Sequence, residues 1–355
     1  MDAIDAVLVD INGHDLTIIH YDQYPIPATV QDRVRAINSN ASIAAITELD
    51  VILGQLFAGA VTSLLKATGT EAKRVHATGS HGQTVLHLPN DSHPRTLQIG
   101  DPARIAVATG ITTVADFRRN DIAAGGQGAP LACAFHDWQF REPGINRIVL
   151  NLGGMANITL LPADADINIT GFDTGPGNAL MDNWTQLHLQ QSYDNDGKWA
   201  CSGHCNELLL DAMLADQYFG KPPPKSTGKD EFNLDWLSQR IAGTGRNIAS
   251  VDVQASLLEL TARSISAAIT EHAPETRQIL VCGGGVHNST LMKRLADLLP
   301  TCIIAPTDNF GVNADAVEAV TFAWLAHQRL HNQPGNLPAV TGALRPVLLG
   351  AIYQS

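Results

Sequence analysis

The octapeptide Gly171-Phe172-Asp173-Thr174-Gly175-Pro176-Gly177-Asn178 surrounds one carboxylate with three glycines and a proline. That composition predicts a rigid turn, and a fixed aspartate is what a general base requires, because the base must lie within hydrogen-bond reach of the hydroxyl or water it deprotonates. The competing reading makes Asp173 a cap for a helix continuing through Leu180-Met181-Asp182-Asn183-Trp184. Two more glycine clusters suit phosphate and nucleoside. Gly153-Gly154 stands between two apolar runs, so its backbone N–H groups can approach phosphate oxygens with no side chain in the way. Gly283-Gly284-Gly285 follows a short apolar run and precedes Asn288 and Ser289, either of which can cap a helix, so an adenine or ribose could lie against its backbone near the positive helix end. Each cluster also has a purely conformational explanation, a hairpin turn or a close-packed strand-to-helix turn. The dinucleotide fingerprint G-x-G-x-x-G is not met, since position 288 is Asn.

Other residues offer recognition rather than bond making. Asp116-Phe117-Arg118-Arg119-Asn120-Asp121 sets two guanidinium groups where a strand should end, suited to a carboxylate or phosphate, with a surface ion-pair network as the alternative. Ser80, His81, Gln83, Thr84 and Gln98 carry the donors and acceptors that read sugar hydroxyls, while His81 shows no sequence partner for a role as base or metal ligand. Lys225-Ser226-Thr227-Gly228 resembles the end of a P-loop, but Pro222-Pro223-Pro224 before it cannot form the glycine cradle. Cys201 and Cys205 flank His204 without a second cluster to complete a zinc site.

The elements that must hold these residues follow from patterning. Ile4 to Asp10 reads as a strand, Asn12-Gly13 as its turn and Leu16 to Ile19 as its return. A helix from Ile43 to Lys66, a strand over Arg74 to Ala77, a loop from Gly79 to Thr84, a helix from Pro102 to Gly110 and a strand from Thr112 to Ala115 come next. Gly125 to Pro130 breaks regular structure and places a domain boundary between 125 and 145. A second hairpin then pairs Arg147 to Leu152 with Asn157 to Leu161, a helix from Val253 to His272 leads into a strand at Ile279 to Cys282, and a last long helix runs from about Ala314 to His331. Hairpin, strand, helix and strand recur in both halves, which predicts a duplicated α/β architecture with a cleft between lobes.

Composition narrows the function classes. With 355 residues, 45% hydrophobic and 16% charged, the chain is globular and long enough for two domains. A net charge of −12 disfavours nucleic-acid backbones and anionic membranes as partners. No apolar run is expected to span a membrane, and the acidic first residues lack a secretory start, so a soluble cytoplasmic protein is expected. Five scattered cysteines fit a reducing compartment.

Taken in order, Gly79 to Thr84, Ala115 to Pro130, Asn151 to Asn157, Gly171 to Asn178, Ala200 to Gly203, Lys225 to Gly228, Phe232 to Leu234, Cys282 to Asn288 and Val340 to Ala343 resemble the anhydro-N-acetylmuramic acid kinase family over nearly the whole chain. The resemblance implies a two-lobed α/β fold of the actin, hexokinase and Hsp70 kind (ribonuclease H-like duplicated domains) with ATP and Mg2+ in an interlobe cleft. It implies an N-terminal lobe over 1–135 and a C-terminal lobe over 136–355 whose final segment packs back on the first. The implied reaction adds water across the 1,6-anhydro bond of 1,6-anhydro-N-acetylmuramic acid while O6 takes the ATP γ-phosphate, giving N-acetylmuramic acid 6-phosphate in cell-wall recycling. By position it makes Asp173 the base, and Asp2, Gly153, Gly154, Asn157, Gly175, Gly177, Asn178, Gly283, Gly284, Gly285 and Asn288 the nucleotide contacts. Ser80, His81, Gln83, Gln98, Asp116, Arg119 and Glu318 become the sugar contacts, Asp2, Asp173 and Glu318 the magnesium candidates, and a homodimer the expected assembly. Family members carry a strand and a Ser-Gly-Thr-Ser-like first phosphate loop before the stretch matching Asp2 to Ala6. A chain starting at Met1 is therefore expected either to have its start placed late or to be an impaired anhydro-sugar-binding pseudokinase with Ile4 to Val9 lacking a strand partner. A nucleotide-dependent oxidoreductase built on Gly283 to Gly285 is the rival from another class.

Overall fold

Two stretches of chain make the first of two compact units, residues 1–139 and 316–355, and residues 140–315 make the second. The computed structural model describes residues 3–37 and 40–355, so the expected nucleotide contact Asp2 lies outside the described residues. In the first unit Ala3–Asn12 (β1) pairs antiparallel with Asp15–Pro25 (β2), turning at Gly13 with φ 63° as the Asn-Gly signal predicts. Ile4 to Val9 thus have a partner in β2. Their opposite edge has no strand beside it among the described residues and borders a cavity of about 1290 Å³, walled also by Phe57, Leu64, Ser80, His81, Glu318 and Phe322.

The helix Ile43–Thr68 starts where the Ser42 hydroxyl accepts from Ala45 N at 3.1 Å and stops at Gly69 with φ 64°. By length and composition alone it could cross a membrane, contrary to the sequence expectation. Its Leu49, Leu53 and Leu64 are nevertheless buried, and it packs on β1, β2 and the helix Pro102–Thr109. The strand expected over Arg74 to Ala77 is replaced by a 3-10 turn at Ala72–Arg74 and a two-residue strand, Thr78–Gly79 (β3). The loop expected through Thr84 ends early, because Gln83–Leu88 (β4) alternates in burial and pairs with Arg95–Ile99 (β5). Thr113–Ala115 (β6) runs parallel to β3.

The second unit holds one five-stranded sheet. Arg147–Leu152 (β7), Met155–Leu161 (β8) and Thr170–Pro176 (β9) form an antiparallel meander, while Gln278–Cys282 (β10) runs parallel to β7 and to Ile303–Pro306 (β11), giving the order β11-β10-β7-β8-β9. β10 is buried from Ile279 to Cys282, as a parallel strand covered on both faces must be. The helix Ser250–His272 buries Leu257, Ala262 and Ile265 in the same core as Ile148, Leu150, Ile158 and Phe172. Gly171 to Pro176 lie in β9, a strand rather than the expected turn; cross-strand pairing with β8 outweighs the local glycine preference.

After Asp315 the chain returns to the first unit through the helix Val317–Leu330 and Ala351–Tyr353 (β12), which pairs antiparallel with β6 in the sheet β12-β6-β3. The second unit therefore ends at residue 315 instead of 355, and the division near 135 falls at 139. Asp121 ties the return to the first stretch. Fully buried, it accepts from Asn336 Nδ2, Thr341 Oγ1 and Gly128 N, each at 2.7 Å. Replacing it by Ala strands three buried donors, so Asp121→Ala should lower unfolding stability by about 2–4 kcal/mol in urea titrations. A loss below about 0.5 kcal/mol, the range of an ordinary surface substitution, would show that these bonds do not hold the segments together.

Candidate active site

Close backbone approach builds the site in the second unit. The β7–β8 tip, Gly153-Gly154, turns its carbonyls toward the start of the helix Ala179–Leu189: Gly177 N and Ala179 N donate to Gly154 O at 2.9 and 3.1 Å, and Asn178 N donates to Gly153 O at 2.9 Å. Asn178 Nδ2 also donates to Leu152 O at 3.0 Å. Those bonds fix the tip against the N-terminal end of that helix, the end that carries the positive pole of its dipole. Gly283, at φ 82°, lies against Asn151 and Leu152, and Gly285 lies against Leu152 and Asn178. Any Cβ at these two positions would meet backbone or buried side chain, so the third glycine cluster joins the other two only as glycine. Asn288 uses its side-chain oxygen to cap the helix Ser289–Leu298, accepting from Leu291 N at 3.0 Å.

Asp173 stands directly opposite Asn157 in the β8–β9 ladder, next to a register shift that follows Ala156. The helix-cap alternative fails, because Asp173 is a strand residue whose Oδ2 accepts from Thr227 N at 3.0 Å. Its backbone is pinned as well: Asp173 N donates to Lys225 O at 3.1 Å, and the Tyr218 hydroxyl donates to Asp173 O at 2.6 Å. Burial pushes its carboxyl up to about 6, with the Thr227 N–H pulling the other way. A carboxylate with that proton affinity, fixed at strand, hydroxyl and loop, is poised to take a proton near neutral pH.

The first unit gathers the polar residues expected to read a sugar. Ser80, His81, Gln83 and Glu318 line the cavity described above; Gln98, Asp116 and Arg119 do not. Gln98 sits beside them, with Nε2 donating to Thr84 and Thr96 hydroxyls at 3.2 and 2.7 Å and with a buried Oε1 that has no partner among the described residues. Arg118, rather than Arg119, is the inward guanidinium: its Nε donates to His81 Nε2 at 3.0 Å and its Nη1 to Gly128 O at 2.7 Å. Burial, then the Arg118 charge, lowers His81 to about 3, so its ring is neutral and its Nε2 lone pair is occupied. A general-base role for His81 is thereby excluded in this arrangement. Glu318 is open to the cavity yet enclosed by protein around it, and this enclosure pushes its carboxyl up while Arg118 draws it down. Arg119, 54% exposed, pairs with Asp116 at 3.3 Å, and Asp116 holds φ 59°, an uncommon conformation for a residue with a side chain. Sequence reasoning named both arginines but carried Arg119 forward instead of Arg118, and it gave no role to Tyr218 or to the Thr227 amide, which act through contacts distant in the chain.

Comparison with known proteins matches residues 1–355 to the family described as anhydro-N-acetylmuramic acid kinase. The chain is 48% identical over 355 residues to the anhydro-N-acetylmuramic acid kinase of Coxiella burnetii (strain Dugway 5J108-111), covering 99% of this chain and 94% of that protein. It is 46% identical over 356 residues to the protein of that name from Vibrio cholerae, covering 99% and 95%. Among solved structures it is similar to the activator of the 2-hydroxyisocaproyl-CoA dehydratase from Clostridium difficile, at 12% identity and a TM-score of 0.44, covering 92% of this chain and 98% of that one.

Because Asp173 binds its proton more tightly in the folded chain, about 6 against 3.8, ionising it opposes folding. Wild-type stability should fall relative to Asp173→Asn as pH rises from about 4 to about 6 and stay lower above that, by on the order of 2–3 kcal/mol. Denaturation midpoints of the two proteins at pH 4 and pH 8 check this; parallel midpoints would mean the carboxyl is not strained by its surroundings.

Proposed function

The chain belongs to the anhydro-N-acetylmuramic acid kinase family, and from that premise we propose that it uses ATP and water to convert 1,6-anhydro-N-acetylmuramic acid to N-acetylmuramic acid 6-phosphate. The observation that carries this reading is Asp173, half-buried and raised to about 6, in the same unit as the two glycine turns, Gly153-Gly154 and Gly283 to Gly285, suited to phosphate and nucleoside. Asp173 takes one proton from water as the water oxygen bonds to C1. The C1–O6 bond breaks, O6 keeps the electron pair and attacks the γ-phosphorus, and ADP leaves. The second water hydrogen remains on the new C1 hydroxyl, so one proton is released per turnover. Fixing the base in advance removes orientational cost from the first step.

Gly153 and Gly154 N–H groups are assigned to the phosphates, Gly283 to Gly285 to the nucleoside and Asn157 to the polar surroundings of the base. Ser80, His81, Gln83, Gln98 and Glu318 are assigned to the sugar, with the Arg119–Asp116 pair for its lactyl carboxylate. Magnesium accompanying ATP supplies charge compensation on the phosphates. Among the described residues no group of three or more His, Cys, Asp or Glu side chains is gathered to hold a metal. Asp173 and Glu318 are both pushed toward protonation, which suits proton transfer better than metal ligation, and no step is routed through the ion. Homodimeric assembly and a cytoplasmic location belong to the same proposal.

Asp173→Asn should retain sugar binding and lower kcat by about 10² or more, as loss of a positioned base does. The wild-type kcat/KM should climb with pH through about 6, since only the ionised carboxyl accepts the proton. Wild-type turnover in the variant, or 18O from labelled water appearing in phosphate instead of at C1, removes the mechanism. Arg119→Ala should raise the sugar KM about tenfold with little change in that for ATP; an unmoved sugar KM places the carboxylate contact elsewhere.

A further inference from the structure

Three lysines cluster in the segment after the helix Glu207–Leu214, and their side chains have different fates. Lys221 Nζ pairs loosely with Glu231 at 3.8 Å. Lys225 Nζ donates to Phe219 O at 3.1 Å and Tyr218 O at 3.4 Å and lies 5.0 Å from the Tyr218 ring centre, so it serves the fold. Lys229 is exposed, and among the described residues its amine has no hydrogen-bond or ion-pair partner. Its Cε lies 3.5 Å from where a Cβ on Gly154 would stand, which lays its stem across the β7–β8 tip. The segment that carries it is not loose. Thr227 N is held by Asp173 Oδ2, Thr227 Oγ1 donates to Glu231 Oε2 at 2.7 Å, Phe232 N donates to Gly228 O at 3.0 Å, and Phe232 is fully buried.

We propose that Lys229 is a direct contact of the ATP β- and γ-phosphates at the Gly153-Gly154 tip, and that the 225–232 segment couples this contact to the base by carrying both Lys229 and the Thr227 N–H that holds Asp173. The proposal rests on the ATP-dependent reading given above. An ammonium on a flexible stem is a point charge able to follow phosphate oxygens as charge shifts from the leaving ADP to the transferred group. The backbone N–H groups of the tip supply direction but no net charge, and an uncommitted cation over them supplies that charge where a triphosphate tail needs it. Lys225, the lysine that the sequence likens to a P-loop ending, cannot serve in this way because its amine is already committed to carbonyls.

Calorimetric titration of the full chain with ATP and with AMP tests the assignment, using Lys229→Met, which keeps most of the stem, and Lys229→Arg, which keeps the charge. The Met variant should bind ATP about tenfold or more weakly, bind AMP as the wild type does, and show an unchanged sugar KM; the Arg variant should recover most of the ATP affinity. Added salt should weaken ATP binding more steeply in the wild type than in the Met variant. Equal ATP affinity in the Met variant overturns the proposal while leaving the kinase reading in place, as does equal weakening of ATP and AMP, which marks a structural role. A wild-type chain that binds no ATP overturns both.

Discussion

No room for a side chain remains where three backbone turns of the second unit converge, and the rest of its site depends on that constraint. Gly177 meets Gly153, Gly283 meets Asn151 and Leu152, and Gly285 meets Leu152 and Asn178. The helix start at Ala179 and the turn after β10 are thereby locked to one hairpin. Such contact brings backbone from chain segments far apart in sequence to one place, closer than any side chain would allow. Asp173 inherits its position from the same frame, since β9 leads directly into Gly177 and Asn178.

The two units distribute ionisable groups differently. In the second, the aspartate of greatest interest is short of compensating charge, with one N–H against the cost of burial, and so keeps a proton up to about pH 6. In the first, the buried guanidinium of Arg118 is shared among a histidine nitrogen, a carbonyl and the field of Glu318. Burial, reinforced by that charge, holds His81 neutral, and its ring stacks on Phe322 at 4.4 Å between ring centres. A neutral, stacked ring suits recognition, whereas a half-buried acid with a labile proton suits proton transfer, the roles proposed for them.

Much of this was legible in the sequence because glycine and aspartate announce themselves locally. Gly153-Gly154 and Asn12-Gly13 turn where hairpin chemistry demands, Asn288 caps a helix as its spacing implies, and the Gly283 cluster follows a buried strand. Asp173 was singled out from its neighbours' composition but given the wrong local structure, since glycines and a proline read as a turn until a neighbouring strand pairs with them. Arg118 and Arg119 could not be separated by type or spacing; only the register of β6 and the helix after it turns one inward. Thr227 and Tyr218 were invisible for a related reason, because backbone amides and hydroxyl reach leave no periodic trace. The resemblance suggested two lobes with a final segment packing back on the first, but where that segment starts, at 316, and its pairing through β12 with β6 come only from contacts distant in the chain.

That return makes the second unit an insertion within the first, entered at 139–140 and left at 315–316. During synthesis residues 140–315 have every strand of their sheet available while β6 still waits for β12. The inserted unit can therefore mature first on the ribosome, and the enclosing one is completed only by closure over a long sequence separation, an entropic delay that falls on the half whose buried aspartate Asp121 needs Asn336 and Thr341. Proteolytic nicking or chaperone engagement during that interval is expected to concentrate on the unfinished outer half.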